Sequence, residues 1–137
     1  MFTDNIKDMG TNEDNYNVTI LIAEDEESNF LLLKTILKRH CNVLQARTGL
    51  ALLKVFAEKG ADLILLDIKM PEMNGIEALK EIRKKDTNIP IIMQSAYAFE
   101  NDMEAARAAG SNGFITKPIN IVELKKTISK FLPQIIW

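Results

Sequence analysis

Five side chains able to handle a phosphoryl group or a divalent cation stand at the ends of short apolar runs. Glu24 and Asp25 close "VTILIAED", Asp67 closes "ADLILLD", Ser95 stands in "IPIIMQSA", and Lys117 follows "NGFIT" and precedes Pro118. Taken singly, either aspartate reads better as a helix N-cap, since strand-to-helix loops favour Asp there. Taken together they read differently. Three carboxylates in one place repel one another and are driven toward protonation unless a cation joins them. A hard divalent ion with a preference for oxygen, Mg2+ above all, would settle that charge and leave Asp67 ionised. Ser95 and Lys117 would then face Asp67 as donors to the oxygens of an anion, and a phosphoryl group fits such a cup.

That chemistry requires a fold that delivers all five residues to one place. From residue 18 onward the sequence alternates short apolar runs with amphipathic stretches. Strands are expected over 18–25, 42–47, 61–67, 89–96 and 112–118, the last ending in "KP". Between and after them come helices over 27–40, 49–60, 75–86, 99–110 and 121–132. Phe30, Leu33, Ile36 and Leu37 share one face of the first helix, and Ile76, Leu79 and Ile82 one face of the third. Gly60 and Gly110 stand where helices should stop, Asn120 with Glu123 gives a capping-box-like start to the fifth helix, and Pro133 ends it. Strict strand–helix alternation implies an α/β fold: a five-stranded parallel sheet with helices on both faces. Strands that are continuously apolar fit burial on both sides. In such sheets ligands bind outside the carboxyl ends of the strands, where the five residues fall.

Composition limits the alternatives. A chain of 137 residues, 47% hydrophobic and 26% charged, makes one globular domain with a core of its own. A net charge of −2 offers no basic footprint, so direct nucleic-acid binding is not expected. One cysteine, Cys41, and one histidine, His40, exclude an internal disulfide and a Cys/His metal site; both are expected to be structural. No signal-peptide pattern and no apolar run of ~18 residues occurs, so no membrane segment is expected and the cytoplasm is the expected location. Residues 1–17 are polar, acidic and aperiodic and read as a flexible acidic leader or linker, residues 18–132 as the domain, and 133–137 as a short tail.

In combination, "AED", "LLDIKMPEMNG", "QSA" and "KP", in this order and at these boundaries, resemble the receiver domains of two-component response regulators over residues 18–132. The resemblance implies the flavodoxin-like (βα)5 fold and a set of roles. Asp67 matches the phosphoacceptor. Glu24 and Asp25 match the acidic pair, holding Mg2+ together with Asp67 and the backbone carbonyl of Lys69. Ser95 and Lys117 match the residues that contact the phosphoryl group, and Phe114 the aromatic switch residue. The pair is Glu-Asp where Asp-Asp is commoner, and the switch is Phe where Tyr is commoner, so it lacks a phenol. The implied function is transfer of a phosphoryl group from a phosphohistidine onto Asp67, with a sensor histidine kinase or a phosphotransfer protein as partner. The surface of the fourth helix, fifth strand and fifth helix would switch and could support a homodimer. Lys69 and Tyr97 occupy the positions that control lifetime by guarding water's path to phosphorus, and neither suits positioning water. Slow self-dephosphorylation is therefore expected, with no turnover of an external substrate. Asn29, four residues after Asp25, and "KPIN" resemble the receivers of hybrid kinases, although a stand-alone relay regulator is also open.

Two other classes compete. An aspartate-nucleophile phosphatase wants a second Asp two residues after the first, and Lys69 stands there. A binding-only pseudo-receiver would keep the fold without the chemistry, yet every chemical position here is filled. In the loop after Asp67, the fixed backbone angle of Pro71 and a tight turn at Asn74-Gly75 are expected to hold the backbone rigid, with Met70 and Met73 plugging it onto the core. The "RKKD" run after Ile82 is expected to be a solvated helix end.

Overall fold

A computed structural model describes residues 16–96 and 100–137. Ten elements alternate: β1 (Thr19–Ala23), α1 (Glu27–Leu37), β2 (Asn42–Ala46), α2 (Gly49–Lys59), β3 (Leu63–Asp67), α3 (Gly75–Arg83), β4 (Ile91–Ser95), α4 (Glu100–Ala109), β5 (Gly113–Thr116) and α5 (Ile121–Phe131). The strands form one parallel sheet in the order β2-β1-β3-β4-β5. This is the doubly wound, flavodoxin-like arrangement that the alternation requires, and the order reverses between β1 and β3. The crevice outside the carboxyl ends of these two strands is where such a sheet places its ligand.

Side-chain alternation divides the core in two. Ile20, Ile22, Leu65, Ile92 and Ile115 face one way and pack with Phe30, Leu33 and Leu37 of α1 and Leu124 and Ile128 of α5. Leu21, Ile64, Leu66, Ile91 and Met93 face the other way, toward Leu52, Leu79, Ile82 and Ala106 of α2, α3 and α4. All residues of β3 and β4 are buried, so these strands have no solvent face on which a polar residue would be free of cost.

Helix ends follow local chemistry. Thr48 accepts the Ala51 N–H at 3.0 Å to start α2, and Gly60, at φ 70°, closes it. At α5, Asn120 accepts the Glu123 N–H at 3.0 Å. The reciprocal capping box forms at α3 instead, where the Asn74 side chain accepts from Glu77 N at 2.9 Å and Glu77 Oε1 accepts from Asn74 N at 3.1 Å. Asn74-Gly75 is thus a helix start rather than a free-standing turn.

The "RKKD" run is only partly solvated. Lys84 is exposed and pairs with Glu81, but Arg83 turns back to donate to Gly110 O, Asp86 O and Asn112 Oδ1 at 3.0, 3.1 and 2.8 Å, tying α3 to the α4–β5 turn. The planar guanidinium reaches these three acceptors through three different nitrogens held in a fixed fork. The chain's last residues also pack. Ile135 is buried in the α1/α5 core, and Trp137 Nε1 donates to Ser129 Oγ at 2.7 Å. The Trp137 ring meets His40 edge-on with centroids 5.0 Å apart. His40 Nδ1 lies 2.9 Å from Ile136 O, which can only accept, so this nitrogen carries the proton. Cys41 is buried, and burial pushes its thiol up to about 12, which makes it inert. Both residues are structural in their contacts.

Candidate functional site

The site is assembled by four strands that end at one level. Glu24, Asp67, Gln94 and Lys117 continue the alternation of Ile22, Leu65, Ile92 and Ile115, so all four leave the sheet on the α1/α5 face. Backbone bonds lock the level: Glu24 N donates to Ala46 O at 2.9 Å, Ile68 N to Gln94 O at 3.1 Å, and Lys117 N to Ser95 O at 2.8 Å. The Lys117–Pro118 peptide is cis.

The loop after Asp67 folds tightly behind it. Gly75 N donates to Ile68 O at 2.7 Å. A Cβ at Gly75 would collide with Asp67 O and stand 2.9 Å from Ile68 Cα, so only glycine lets α3 begin against the acceptor strand. Met70 is buried in the α2/α3/α4 core and Met73 packs against it, as expected of a loop plugged by its methionines. Glu72 sits at φ 72°, a left-handed conformation in which side chains are uncommon.

At the floor of the crevice lies a three-charge cluster. Asp67 is 5% exposed and Glu24 wholly buried. Lys117 Nζ bridges them, 3.0 Å from Glu24 Oε1 and 3.1 Å from Asp67 Oδ2. The other Asp67 oxygen, Oδ1, accepts from Lys69 N at 3.2 Å. One ammonium between two carboxylates leaves an excess negative charge. Burial, then the neighbouring charge of Glu24, push Asp67 up to about 6 despite the opposing pull of Lys117. Lys117 is raised as well: burial works against its charge, but its bonds to Glu24 and Asp67 outweigh that.

Exposed Asp25 completes the acidic set. Glu24, Asp25 and Asp67 each present a carboxylate oxygen within 4.8 Å of the others. An all-oxygen, net-negative donor set of this span suits a hard divalent cation. Neither aspartate is a helix cap. The N-cap of α1 is Glu26, without a side-chain bond, and that of α3 is Asn74.

Glu24, Asp25, Asp67, Lys69, Ser95 and Lys117 all line one cavity of about 370 Å³. Phe114 stands apart. It is half-buried on the opposite face and lines a separate cavity of about 290 Å³ with Met103 and Arg107. Tyr97 lies outside the described residues. Two neighbours were not singled out from sequence as site residues. The Asn29 side chain donates to Glu24 Oε1, and also to Gln94 Oε1 at 3.4 Å. Strand parity alone could have found Gln94, because it shares the face of Asp67, whereas Ser95 starts from the other.

Comparison with known proteins agrees with this geometry. Residues 20–129 match the family described as the response regulator receiver domain. The chain is 33% identical over 117 residues to the polar-differentiation response regulator DivK of Brucella anthropi, covering 83% of this chain and 95% of that protein. It is 38% identical over 119 residues to the regulatory protein AtoC of Escherichia coli, covering 82% of this chain but 25% of AtoC, so it spans a quarter of that relative's length. Among solved structures, the receiver domain of a sensor histidine kinase from Pseudomonas aeruginosa PAO1, with a magnesium ion coordinated in its active-site cleft, matches with a TM-score of 0.79 at 26% identity, covering 86% of this chain and 99% of that one. A CheY-like receiver domain protein from Methanospirillum hungatei matches with a TM-score of 0.81 at 30% identity, covering 85% and 94%. With the sheet order, the acidic crevice and these likenesses in agreement, the chain belongs to the response regulator receiver domains of two-component systems.

Proposed function

We propose that this receiver takes a phosphoryl group from a phosphohistidine onto Asp67 in a Mg2+-dependent transfer. The observation that carries the reading is the placement of Asp67: a nearly buried carboxylate, gripped by Lys117 at 3.1 Å, at the floor of an open acidic crevice. One Asp67 oxygen attacks phosphorus in line; the new P–O bond forms as the P–N bond breaks, and the histidine leaves as imidazole, taking up a proton. Lys117 Nζ offsets negative charge on the phosphoryl oxygens, and Ser95 stands on the cavity wall as a further donor. Mg2+, held by Asp25, Asp67 and the Lys69 carbonyl with support from Glu24, would neutralise the excess charge and orient the phosphoryl group. The donor partner is a sensor histidine kinase or a phosphotransfer protein, in the cytoplasm, and the domain turns over no external substrate. On phosphorylation Ser95 is drawn to the new oxygens and Phe114 turns inward, altering the α4–β5–α5 surface, where a homodimer could form. Lys69, and Tyr97 two residues beyond Ser95, guard the phosphoryl group from water, as suits a relay.

Incubation with acetyl phosphate and Mg2+ should add one phosphoryl group that hydroxylamine removes. Asp67→Asn and chelation by EDTA should each abolish it. Undiminished labelling of Asp67→Asn would reject the acceptor, and an unlabelled wild type would favour a binding-only module. Glu24 is fixed by Lys117 and by the Glu26 N–H, whereas Asp25 is exposed and able to turn toward an ion. Asp25→Ala should therefore weaken Mg2+ binding more than Glu24→Gln in an NMR titration; the reverse order would make Glu24 the direct ligand.

A further inference from the structure

We propose that Asn29 and Gln94 are positioning residues that hold the Glu24 carboxylate where the cation site needs it; the inference rests on the Mg2+-dependent reading above. A glutamate at this place has one methylene more than an aspartate, so its carboxylate must be fixed by something other than chain length. The structure supplies three donors. Asn29 Nδ2 and Lys117 Nζ both bond Oε1, the latter at 3.0 Å, and Glu26 N bonds Oε2 at 3.2 Å. Lys117 is shared with Asp67, and the Glu26 N–H sits on the connection into α1. Asn29 is therefore the one side chain among these donors whose link to the acidic cluster is to Glu24 alone.

Gln94 fixes Asn29 in turn. The Asn29 amide has two hydrogens and directs them at two acceptors, Glu24 Oε1 and Gln94 Oε1. Turned over, it would set its own oxygen against both, so its orientation is determined. The second observation is independent of that bond. Gln94 is 2% exposed, in a strand whose other buried residues are mostly aliphatic, and its Nε2 has no hydrogen-bond partner among the described residues. An apolar residue would be cheaper there for stability alone. A buried amide directly opposite Asp67 in the β3–β4 register, with its oxygen on Asn29, is explained by the site rather than by the core. Both residues are neutral, so they orient Glu24 without reducing the negative charge that attracts the ion, which a lysine at either place would do.

The test uses the unphosphorylated full chain and Mg2+ alone, titrated by NMR. Asn29→Ala, a favourable helix substitution on α1, should weaken Mg2+ binding several-fold, up to about tenfold, the low end of the scale for groups that act on a metal site from outside its direct ligands. Gln94→Met should give a smaller loss in the same direction. The double variant should be no worse than Asn29→Ala, because Gln94 acts through Asn29. In the metal-free protein the Asn29 side-chain amide protons should exchange slowly, and faster in Gln94→Met. A wild type that binds Mg2+ while Asn29→Ala binds it within about twofold overturns this proposal and leaves the phosphoacceptor reading standing. Additive losses in the double variant would overturn the role of Gln94 through Asn29. A wild type that binds no Mg2+ overturns both readings together.

Discussion

With divalent cations chelated at pH 7, Asp67→Asn is expected to be more stable than the wild type by ~3 kcal/mol, the free energy that separates an ordinary carboxyl from one pushed up to about 6. Burial and the Glu24 charge disfavour ionised Asp67 in the folded chain, while the unfolded chain ionises it near its ordinary 3.8. The sign follows from comparing the two states. Below about 3.8 the carboxyl is protonated folded and unfolded, and the two proteins should be equally stable. As pH rises toward about 6, only the unfolded wild type gains from ionising, so wild-type stability falls; above about 6 the loss is complete. Comparing the variant with the wild type at each pH cancels the titration of groups remote from this site. Urea denaturation followed by Trp137, which packs on α5 through Ser129, would measure the difference. Equal stability at pH 7 would mean that Lys117 already balances the site. Adding Mg2+ should narrow or reverse the order, because a ligand that binds the folded wild type stabilises it by mass action, and the neutral amide of the variant attracts the ion less.

Asp67 was legible in the sequence only in company: alone at the end of its apolar run it reads as a helix N-cap, but with two further acids and a lysine at neighbouring strand ends that reading gives way. Glu24, Asp25, Ser95 and Lys117 were legible for a related reason: the ends of parallel strands share one edge, so strand boundaries alone bring them together. Contacts that depend on helix phase were less visible. Asn29 meets Glu24 only because α1 turns that residue toward the sheet, and no local pattern around it states the partner. Gln94 was hidden by its neighbour, since Ser95 has the more familiar chemistry although Gln94 shares the face of Asp67. The capping box at Asn74 and Glu77 was present as a spacing but masked by Asn-Gly, which also signals a tight turn. Arg83 read as part of a solvated basic run because two of its three acceptors, Gly110 O and Asn112 Oδ1, come from a turn distant in sequence. Ile135 and Trp137 read as a tail for the same reason, since their burial depends on α1, α5 and His40.

Lys117→Met should have the opposite effect, costing the metal-free protein ~3 kcal/mol or more at pH 7, within the range for removing one partner of a buried ion pair. Methionine keeps the length and apolar stem of the lysine but removes the ammonium group that bonds both acids. Glu24 and Asp67, at 0% and 5% exposure, would then face each other without a counter-charge. The lysine's own titration adds no pH dependence over the accessible range, because its raised pKa keeps its charge in place below the ordinary value of 10.5 and lets it go only at higher pH. The pH dependence of the penalty therefore belongs to the acids. At pH 7 ionised Asp67 needs the ammonium; without the pull of Lys117 the variant's Asp67 takes up its proton at a higher pH than the wild type's, so the penalty should shrink as pH falls toward about 6. Mg2+ should restore part of the loss at pH 7, since a divalent ion answers the charge that the lysine leaves behind. Phosphorylation by acetyl phosphate should still fail, because an ion on the Asp25 side does not replace the donor on the Lys117 side. A penalty that stays constant from pH 5 to pH 8 would show that the lysine stabilises through its stem alone. A variant labelled as fast as the wild type would remove Lys117 from the chemistry and leave it only as the counter-charge of Glu24.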